Sequence, residues 1–286
     1  MFGVGAVKAG TGWLRRYLEG HPDCATPLYK ELRYFDTPQS GYYDEQIKQA
    51  RNFVQEIKDQ IEAGTIKDLK TAQTQLNATR RWVKALQLRV ETPKAYASYL
   101  TDGADGATVA ADISSAYSQM PGSHLKQMAG LMAQTRFVYL LRDPIDRLWA
   151  NVRLDARQKS DHAELVRGHA LNEVDRILSG AESAMLQSSD YNKSLETFEQ
   201  AIPDKNRKVL FYETLFRDDT IRDLCAFLGL KHHAASEKTP AQDDQPIKLD
   251  AARKNGLKKL LAPQYQAVQA RFQTLPAAWQ DNMARG

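Results

Sequence analysis

The sequence predicts an α/β protein whose mostly parallel sheet is flanked by helices and carries a helical insertion. Three short apolar runs have the composition of buried strands, at residues 2–7, 136–141 (RFVYLL) and 208–212 (KVLFY). Residues 108–113 (TVAADI) are a plausible fourth strand. A helical pattern follows each run, and such alternation is typical of a parallel sheet with helices on its faces.

The helices of this pattern have recognisable ends. The helix after the first strand opens at about Thr11 and ends near Gly20. The helix after RFVYLL begins with Asp143 as its N-cap and Pro144 in its first turn. The helix after KVLFY ends at Gly229. These signals predict three strand–turn–helix units in which the turns lie at the carboxyl ends of the strands.

Between residues 43 and 92 the pattern changes, because polar residues alternate there with apolar ones at helical spacing, interrupted at Gly64 and Thr65. We therefore expect a helical hairpin inserted into the α/β core. A polar loop is expected at residues 232–246, and amphipathic helices over about 247–286. One domain over residues 1–286 is the preferred interpretation, with a separate helical domain as the alternative.

The composition of the 286 residues excludes several classes of protein. Apolar types make up 42% and charged types 26%, which is ordinary globular usage, and the net charge of +4 is too small to indicate a nucleic-acid coat. The longest apolar runs have five residues, so no membrane span is expected. Cys24 and Cys225 are too few for a disulfide framework. With no secretory leader before the first strand, a cytoplasmic location is expected.

The segment GVGAVKAGTGW, residues 3–13, is the most informative one. A strand runs into a glycine-rich turn, and a helix opens at Thr11 with unpaired N–H groups that attract an anion. Lys8 lies within the turn. In an ATP-type loop, G-x-x-x-x-G-K-[ST], the lysine follows the last glycine, whereas here Thr11 follows Gly10 and the lysine comes earlier. The turn therefore has the components of a P-loop. Its lysine should contact a bond of the ligand other than the one that the lysine of an ATP-type loop contacts.

Three segments in order along the chain resemble the sulfotransferases that use 3′-phosphoadenosine-5′-phosphosulfate (PAPS). The first is GVGAVKAGTGWLRRYLEGHPD, which is similar to the family's K-x-G-T-[TS] loop and following helix. The second is KELRYFD, residues 30–36, which looks like the K-E-x-x-[FY]-F-D stretch of the glycosaminoglycan and bacterial branches. The third, FVYLLRDPIDR at residues 137–147, is similar to the family's 3′-phosphate segment.

The resemblance implies a donor site that grips PAPS at both charged ends and releases the product PAP. Arg142 and Asn151 would serve the 3′ end, since an arginine fork pairs well with phosphate. The family's hydroxyl residues at positions 12 and 150 are Gly12 and Ala150 here. The residues implied for the 5′ end are Lys8, Ala9, Gly10, Thr11, Gly12 and Trp13.

The resemblance also implies the chemistry, an in-line transfer of a sulfuryl group to a hydroxyl or amine. Lys8 would stabilise the bridging oxygen of the leaving phosphate, and Glu31 would act as general base, with His124 in reserve. Arg33 and Tyr117 are candidate acceptor contacts, with packing in the core as the alternative role of Tyr117. The acceptor is expected to be a small molecule or a carbohydrate, held over the strand ends beside the insertion.

Two other functions stay open at this point. Residues 109–112 (VAAD) could imitate the element that holds Mg²⁺ in a nucleoside-triphosphate-dependent small-molecule kinase, although the lysine is misplaced for one. Gly12 and Ala150 leave room for a non-catalytic nucleotide-binding relative. No metal is expected, because no histidine has a partner at ligand spacing. The oligomeric state is left open.

Overall fold

Four parallel strands form the central sheet of the protein. The computed structural model describes residues 1–36, 42–66, 68–88, 93–101, 104, 106–188, 190–236 and 247–283. The strand order in the sheet is β4-β1-β5-β6. All three pairings are parallel, as the alternation of apolar runs and helices predicts. The bounds are β1 Phe2–Gly5, β4 Asp112–Ile113, β5 Phe137–Leu141 and β6 Arg207–Phe211.

The expectation of one strand over residues 108–113 is wrong. The segment divides into β3, Val109–Ala110, and β4, and β3 pairs with a strand that the sequence pattern missed, β2 at Cys24–Ala25. The division occurs at Ala111, whose N–H donates to the Ala25 carbonyl at 2.8 Å, whereas the N–H of Asp112 donates to the Met1 carbonyl at 3.0 Å. The chain thus passes from a small second sheet to the central sheet within one residue.

The helices that follow β1, β5 and β6 begin or end at the residues that the sequence predicts. Asp143 caps the helix after β5, because its carboxylate accepts from the N–H groups of Ile145 and Asp146 at 3.0 Å. Gly229, with φ of 74°, ends the helix after β6. In chain order the helices are α1 Thr11–Glu19, α2 Tyr42–Glu62, α3 Leu69–Leu88, α4 Pro93–Thr101, α5 Gly122–Ala129, α6 Pro144–Lys159, α7 Ala163–Leu178, α8 Ala184–Gln187, α9 Tyr191–Ala201, α10 Asp218–Leu228, α11 Ala251–Leu260, α12 Ala262–Gln269 and α13 Ala277–Asn282.

Helices α2 and α3 pack on each other as the predicted hairpin, and Gly64 with φ of 66° lies in the turn between them. The predicted end of the hairpin at residues 89–92 lies outside the described residues, as does most of the polar loop expected at 232–246. The sheet is buried beneath aromatic side chains: Phe2 contacts the rings of Phe35, Tyr96, Tyr117 and Phe137. In the part of the chain that the structure describes, no helix has both the length and the apolar character needed to cross a bilayer.

Candidate active site

The turn between β1 and α1 forms an anion cradle. Gly10 precedes α1 with φ of 99°, and a Cβ atom there would lie 2.8 Å from the ring of Tyr212, so only glycine fits this position. The N-cap residue of α1 is Gly10, which has no side chain with which to cap the helix. The N-terminal N–H groups of the helix, together with its dipole, are therefore available to a negatively charged group.

The residues of this turn differ in how they face the cradle. Lys8 is partly exposed and has a left-handed backbone, with φ of 63°. Thr11 and Ala9 are buried, and Gly12 leaves space beside its Cα that only the Arg16 guanidinium approaches. The side chain of Trp13 lies in the core, stacked on Tyr17 at 5.4 Å between ring centroids, so its place in the donor site is limited to its backbone.

Arg142 joins the end of β5 to this cradle. Its guanidinium donates to the Lys8 carbonyl at 3.2 Å and lies 4.5 Å from the ring centroid of Tyr212. Its own backbone is held by Tyr191 of α9, whose hydroxyl accepts from the Arg142 N–H at 3.0 Å and lies 2.9 Å from the Arg142 carbonyl. The two cationic side chains expected to hold opposite ends of a ligand thus lie at one edge of the sheet.

Asp143, next to Arg142, is fixed from three sides. Besides capping α6, its carboxylate accepts from the hydroxyl of Tyr265 in α12 at 2.8 Å, and its N–H donates to Glu213 at 2.8 Å. Burial raises the pKa of Asp143 to about 6, while the hydrogen bond from Tyr265 opposes that rise. The C-terminal helices therefore help to hold the arginine subsite in place.

Replacing Tyr265 with phenylalanine should weaken the binding of PAP, the ligand that the sequence resemblance implies, by about threefold to tenfold, the value of one buried hydrogen bond, and leave kcat at saturating PAPS unchanged. The loss should be larger at pH 6 than at pH 8, because removing the donor raises the pKa of Asp143 further. Calorimetric titration with PAP measures both. The control is Tyr17→Phe, which removes an equally engaged hydroxyl bonded to the His233 carbonyl at 2.9 Å. Equal losses of PAP affinity in the two variants would contradict the role of Tyr265 in holding Asp143.

Glu31 is held beside the same turn by Ser115. The Ser115 N–H donates to the carboxylate at 2.7 Å, and the Ser115 hydroxyl lies 3.0 Å from both carboxylate oxygens. The carbonyl of Ser115 in turn lies 2.8 Å from the position of a Cβ on Gly5, the last residue of β1. These contacts bring Glu31 to the start of the cradle, although 84 residues separate it from Ser115.

The environment of Glu31 suits a proton acceptor. The side chain reaches solvent at one side, yet the protein packed around it desolvates the carboxylate and raises its pKa. The hydrogen bonds from Ser115 and the charge of Arg33 oppose this rise. A base with a raised pKa works closer to neutral pH than an ordinary glutamate does.

Arg33 is engaged within its own loop. Its guanidinium donates to the Asp36 carboxylate, with its closest nitrogen 2.5 Å away, and lies 4.3 Å from the ring centroid of Tyr42. The backbone N–H of Arg33 donates to the hydroxyl of Ser114 at 3.1 Å. Arg33 thus holds the shape of the loop that carries Glu31, and its role as an acceptor contact stays a prediction.

The expectation that Tyr117 contacts the acceptor is wrong. Tyr117 has no exposed surface, and its hydroxyl donates at 2.8 Å to Asp112, which is itself fully buried. Asp112 also accepts from the hydroxyls of Tyr96 and Ser114. Because a buried carboxylate needs several donors, Tyr117 is held in the core as one of them.

Two further predicted residues lie on helices α6 and α5. Asn151 is partly exposed on α6, next to the buried Ala150, and His124 lies in the first turn of α5, which packs on α9. Their roles stay predictions. Sequence reasoning missed Ser115 and Tyr212 as parts of the site. Ser115 lies in the segment DISSAY, residues 112–117, directly after β4.

Among the described residues, three other than glycine have left-handed backbones, and all three belong to the two loops of the site. They are Lys8, Glu31 and Arg33, with φ of 63°, 52° and 52°. Such conformations are unfavourable for residues with a Cβ atom and tend to occur where function fixes a side chain. Over the residues that the structure describes, no group of three or more histidine, cysteine or acidic side chains is arranged to hold a metal ion.

Comparisons with known proteins bear on the family and the fold of the chain. Residues 1–234 match a protein-family model described as the sulfotransferase family. The crystal structure of a sulfotransferase from Alicyclobacillus acidocaldarius is similar in fold, with a TM-score of 0.62 and 21% identity, over 98% of this chain and 97% of that one. A sulfotransferase domain from the curacin biosynthetic pathway is similar with a TM-score of 0.50 and 15% identity, over 98% and 94% of the two chains. No curated protein sequence matched the chain significantly.

Proposed function

The chain belongs to the sulfotransferase family, and we propose that it moves a sulfuryl group from PAPS to a hydroxyl or amine of an acceptor. The observation that carries this proposal is the contact of Arg142 with the carbonyl of Lys8 beside the N-terminus of α1. A donor with phosphates at both ends needs two cationic subsites close together, and these residues supply them. The motif KELRYFD at residues 30–36 supports the glycosaminoglycan and bacterial branch of the family.

The proposed chemistry assigns one task to each side chain. When bound, PAPS supplies the activated sulfuryl group. Lys8 holds a positive charge at the turn, where it would stabilise the negative charge on the leaving phosphate oxygen. Glu31 accepts the proton that the acceptor loses, since its carboxylate lies at the start of the same turn and has a raised pKa. Arg142 orients the 3′ end of the donor.

The acceptor side of the site supports a small-molecule or carbohydrate acceptor. The loop of Glu31 packs against α2 of the helical hairpin, through a hydrogen bond from Gln46 to the Leu32 carbonyl at 3.1 Å. Arg80, Arg81 and Lys84 are exposed on α3 and form a basic edge on the hairpin. No part of the proposal requires a metal ion.

PAP should stabilise the folded protein without any metal. At 100 times its Kd, a ligand raises the free energy of unfolding by about 2.7 kcal/mol, which corresponds to a rise in Tm of about 5 °C for a chain of this size. Thermal unfolding with PAP, AMP or Mg–ATP measures this. AMP lacks the 3′-phosphate and should give a smaller rise.

Two outcomes of the same experiment would contradict the proposal. Stabilisation by Mg–ATP in preference to PAP would favour the kinase alternative. If none of the three nucleotides raises the Tm, a non-catalytic relative is favoured. In such a relative, the changes to Gly12 and Ala150 would have removed the affinity of the donor site. Mass spectrometry of candidate acceptors after incubation with PAPS then tests transfer directly, through the added sulfuryl group.

A further inference from the structure

Arg147, in the first turn of α6, is a cation that the fold buries almost completely, with 2% of its surface exposed. One nitrogen of its guanidinium, Nη1, donates to the Ser188 carbonyl at 3.2 Å, whereas Nε and Nη2 have no hydrogen-bond partner among the described residues. The acceptor is thus a neutral backbone group and not a carboxylate. An apolar side chain of similar size is often as stable as a buried charge, because the charge loses its hydration. The retained charge therefore points to a task other than stability.

The guanidinium of Arg147 lies against the ring of Tyr191, the first residue of α9. Its central carbon, Cζ, is 4.5 Å from the centroid of the ring. The same ring stacks on Trp279 of α13, with 6.2 Å between the centroids and 15° between the planes. A planar guanidinium is well suited to lie on an aromatic face, and the attraction grows where water is excluded. These contacts fix the plane of the Tyr191 ring.

The hydroxyl of Tyr191 holds the backbone of Arg142 at two atoms. It accepts from the Arg142 N–H at 3.0 Å and donates to the Arg142 carbonyl at 2.9 Å. Because the hydroxyl lies in the plane of its ring, the orientation of the ring decides where the backbone of Arg142 is held. The charge of Arg147 also opposes the rise in the pKa of Tyr191 that burial causes, which makes the hydroxyl a stronger donor.

We infer that Arg147 is a positioning residue for the sulfuryl donor, because it fixes Tyr191 and, through Tyr191, the arginine that binds the 3′-phosphate. The inference rests on the proposed function, which assigns the 3′ end of the donor to Arg142. Arg147 is itself too deeply buried to touch a ligand. Its loss should therefore weaken recognition of the 3′-phosphate and leave the cradle for the 5′ end, at Gly10 and the start of α1, as it is.

The test compares the Kd of PAP with the Kd of AMP, which lacks the 3′-phosphate, in the wild-type protein and in Arg147→Met. Ligand-observed NMR titration reaches the weak binding expected of AMP. The ratio of the two constants, the preference for PAP, should fall by about twofold to thirtyfold in the variant, the range for residues that modulate binding without touching the ligand. The Kd of AMP should stay at its wild-type value, which a general loosening of the fold would not allow. An unchanged preference, or an equal rise of both constants, would overturn the inference.

Tyr191→Phe tests the intermediate step. It keeps the ring beside Arg147 and removes the hydroxyl that holds Arg142, so the preference for PAP should fall. In the double variant, Arg147→Met should add nothing to the loss caused by Tyr191→Phe, since both changes act through one hydroxyl. Additive losses, or a full preference for PAP in Tyr191→Phe, would contradict the inference. If Arg147→Met does not fold, Arg147→Lys takes its place in both measurements, because lysine keeps the charge without the planar guanidinium.

Gln119→Leu is the matched control. The Nε2 of Gln119 donates to the same Ser188 carbonyl, also at 3.2 Å, so Gln119 shares the hydrogen bond of Arg147 but supplies no cation to Tyr191. The preference for PAP should stay at its wild-type value in this variant. A loss equal to that of Arg147→Met would assign the effect to the Ser188 carbonyl and overturn the inference.

Failure of the proposed function has a different signature in the same titrations. If the wild-type protein does not bind PAP, or binds PAP no more tightly than AMP, the assignment of the 3′-phosphate to Arg142 is wrong. If the wild-type protein prefers PAP and Arg147→Met keeps that preference, only the role of Arg147 is wrong.

Discussion

Lys8→Ala should lower kcat by about 100-fold or more, which is the usual cost of removing one preorganised group that stabilises the charge of a transition state. The effect should fall on kcat, because the charge on the bridging oxygen grows as the bond to the sulfuryl group breaks. PAP affinity should fall less, since the N–H groups at the start of α1 and the Arg142 guanidinium remain. Initial rates at saturating PAPS and calorimetric titration with PAP separate the two quantities.

The control for this prediction is Lys205→Ala. Lys205 is exposed and precedes β6, so it lies at the opposite end of the sheet from the cradle. It should behave as wild type in both measurements. If purified Lys8→Ala keeps the wild-type kcat, Lys8 takes no part in the chemical step. If Lys205→Ala loses as much kcat as Lys8→Ala does, the effect comes from the net charge of the protein and not from the position of Lys8.

Glu31→Gln should lower kcat by about 100-fold to 10,000-fold, the range that general bases contribute. The wild-type kcat/KM should fall as the pH drops through the pKa of Glu31, because the protonated carboxyl accepts no proton from the acceptor. Burial raises that pKa, so the fall of kcat/KM on the acidic side of the pH profile (the acidic limb) should be centred above 4.5, the ordinary pKa of a glutamate. Rates measured between pH 4 and pH 8 show the limb directly.

Ser115→Ala tests the direction in which hydrogen bonding shifts the pKa of Glu31. The hydroxyl of Ser115 donates to Glu31 and so lowers its pKa. Its removal should move the acidic limb to higher pH, with only a small loss of rate at the plateau. Glu56→Gln, an exposed change on α2, should leave the profile in place. An unchanged limb in both Glu31→Gln and Ser115→Ala would show that another group titrates, and His124 would then be the residue to examine.

The parts of the fold that the sequence predicts are those governed by local rules. The run at residues 137–141 is long enough and apolar enough to be a buried strand, and two adjacent residues, Asp143 and Pro144, mark the start of α6. The cradle was predictable for the same reason, since Gly10 and Lys8 lie within one turn. Recognition of the family added the pairing of this turn with Arg142.

The contacts that sequence patterns did not reveal join distant parts of the chain. Ser115 reaches Glu31 across 84 residues, and Tyr265 reaches Asp143 across 122. β2 has only two residues, so its pairing with β3 leaves no periodic signal to detect. Tyr117 was misread because an aromatic residue near a strand end suits either a ligand contact or a core position, and the deciding partner, Asp112, is identified only by the folded structure.

The left-handed backbones of Lys8, Glu31 and Arg33 have a consequence for engineering. Glycine has no Cβ penalty at such positions, so exchanging any of the three for glycine relieves a local conformational cost of about 1–2 kcal/mol, partly offset by added freedom of the unfolded chain. Where that gain exceeds the loss of stabilising contacts, such as those of Glu31 with Ser115 and of Arg33 with Asp36, selection for heat tolerance alone would discard side chains proposed for the site. An engineering screen therefore has to measure both kcat and Tm, because a glycine that raises Tm at one of these positions is expected to lower kcat.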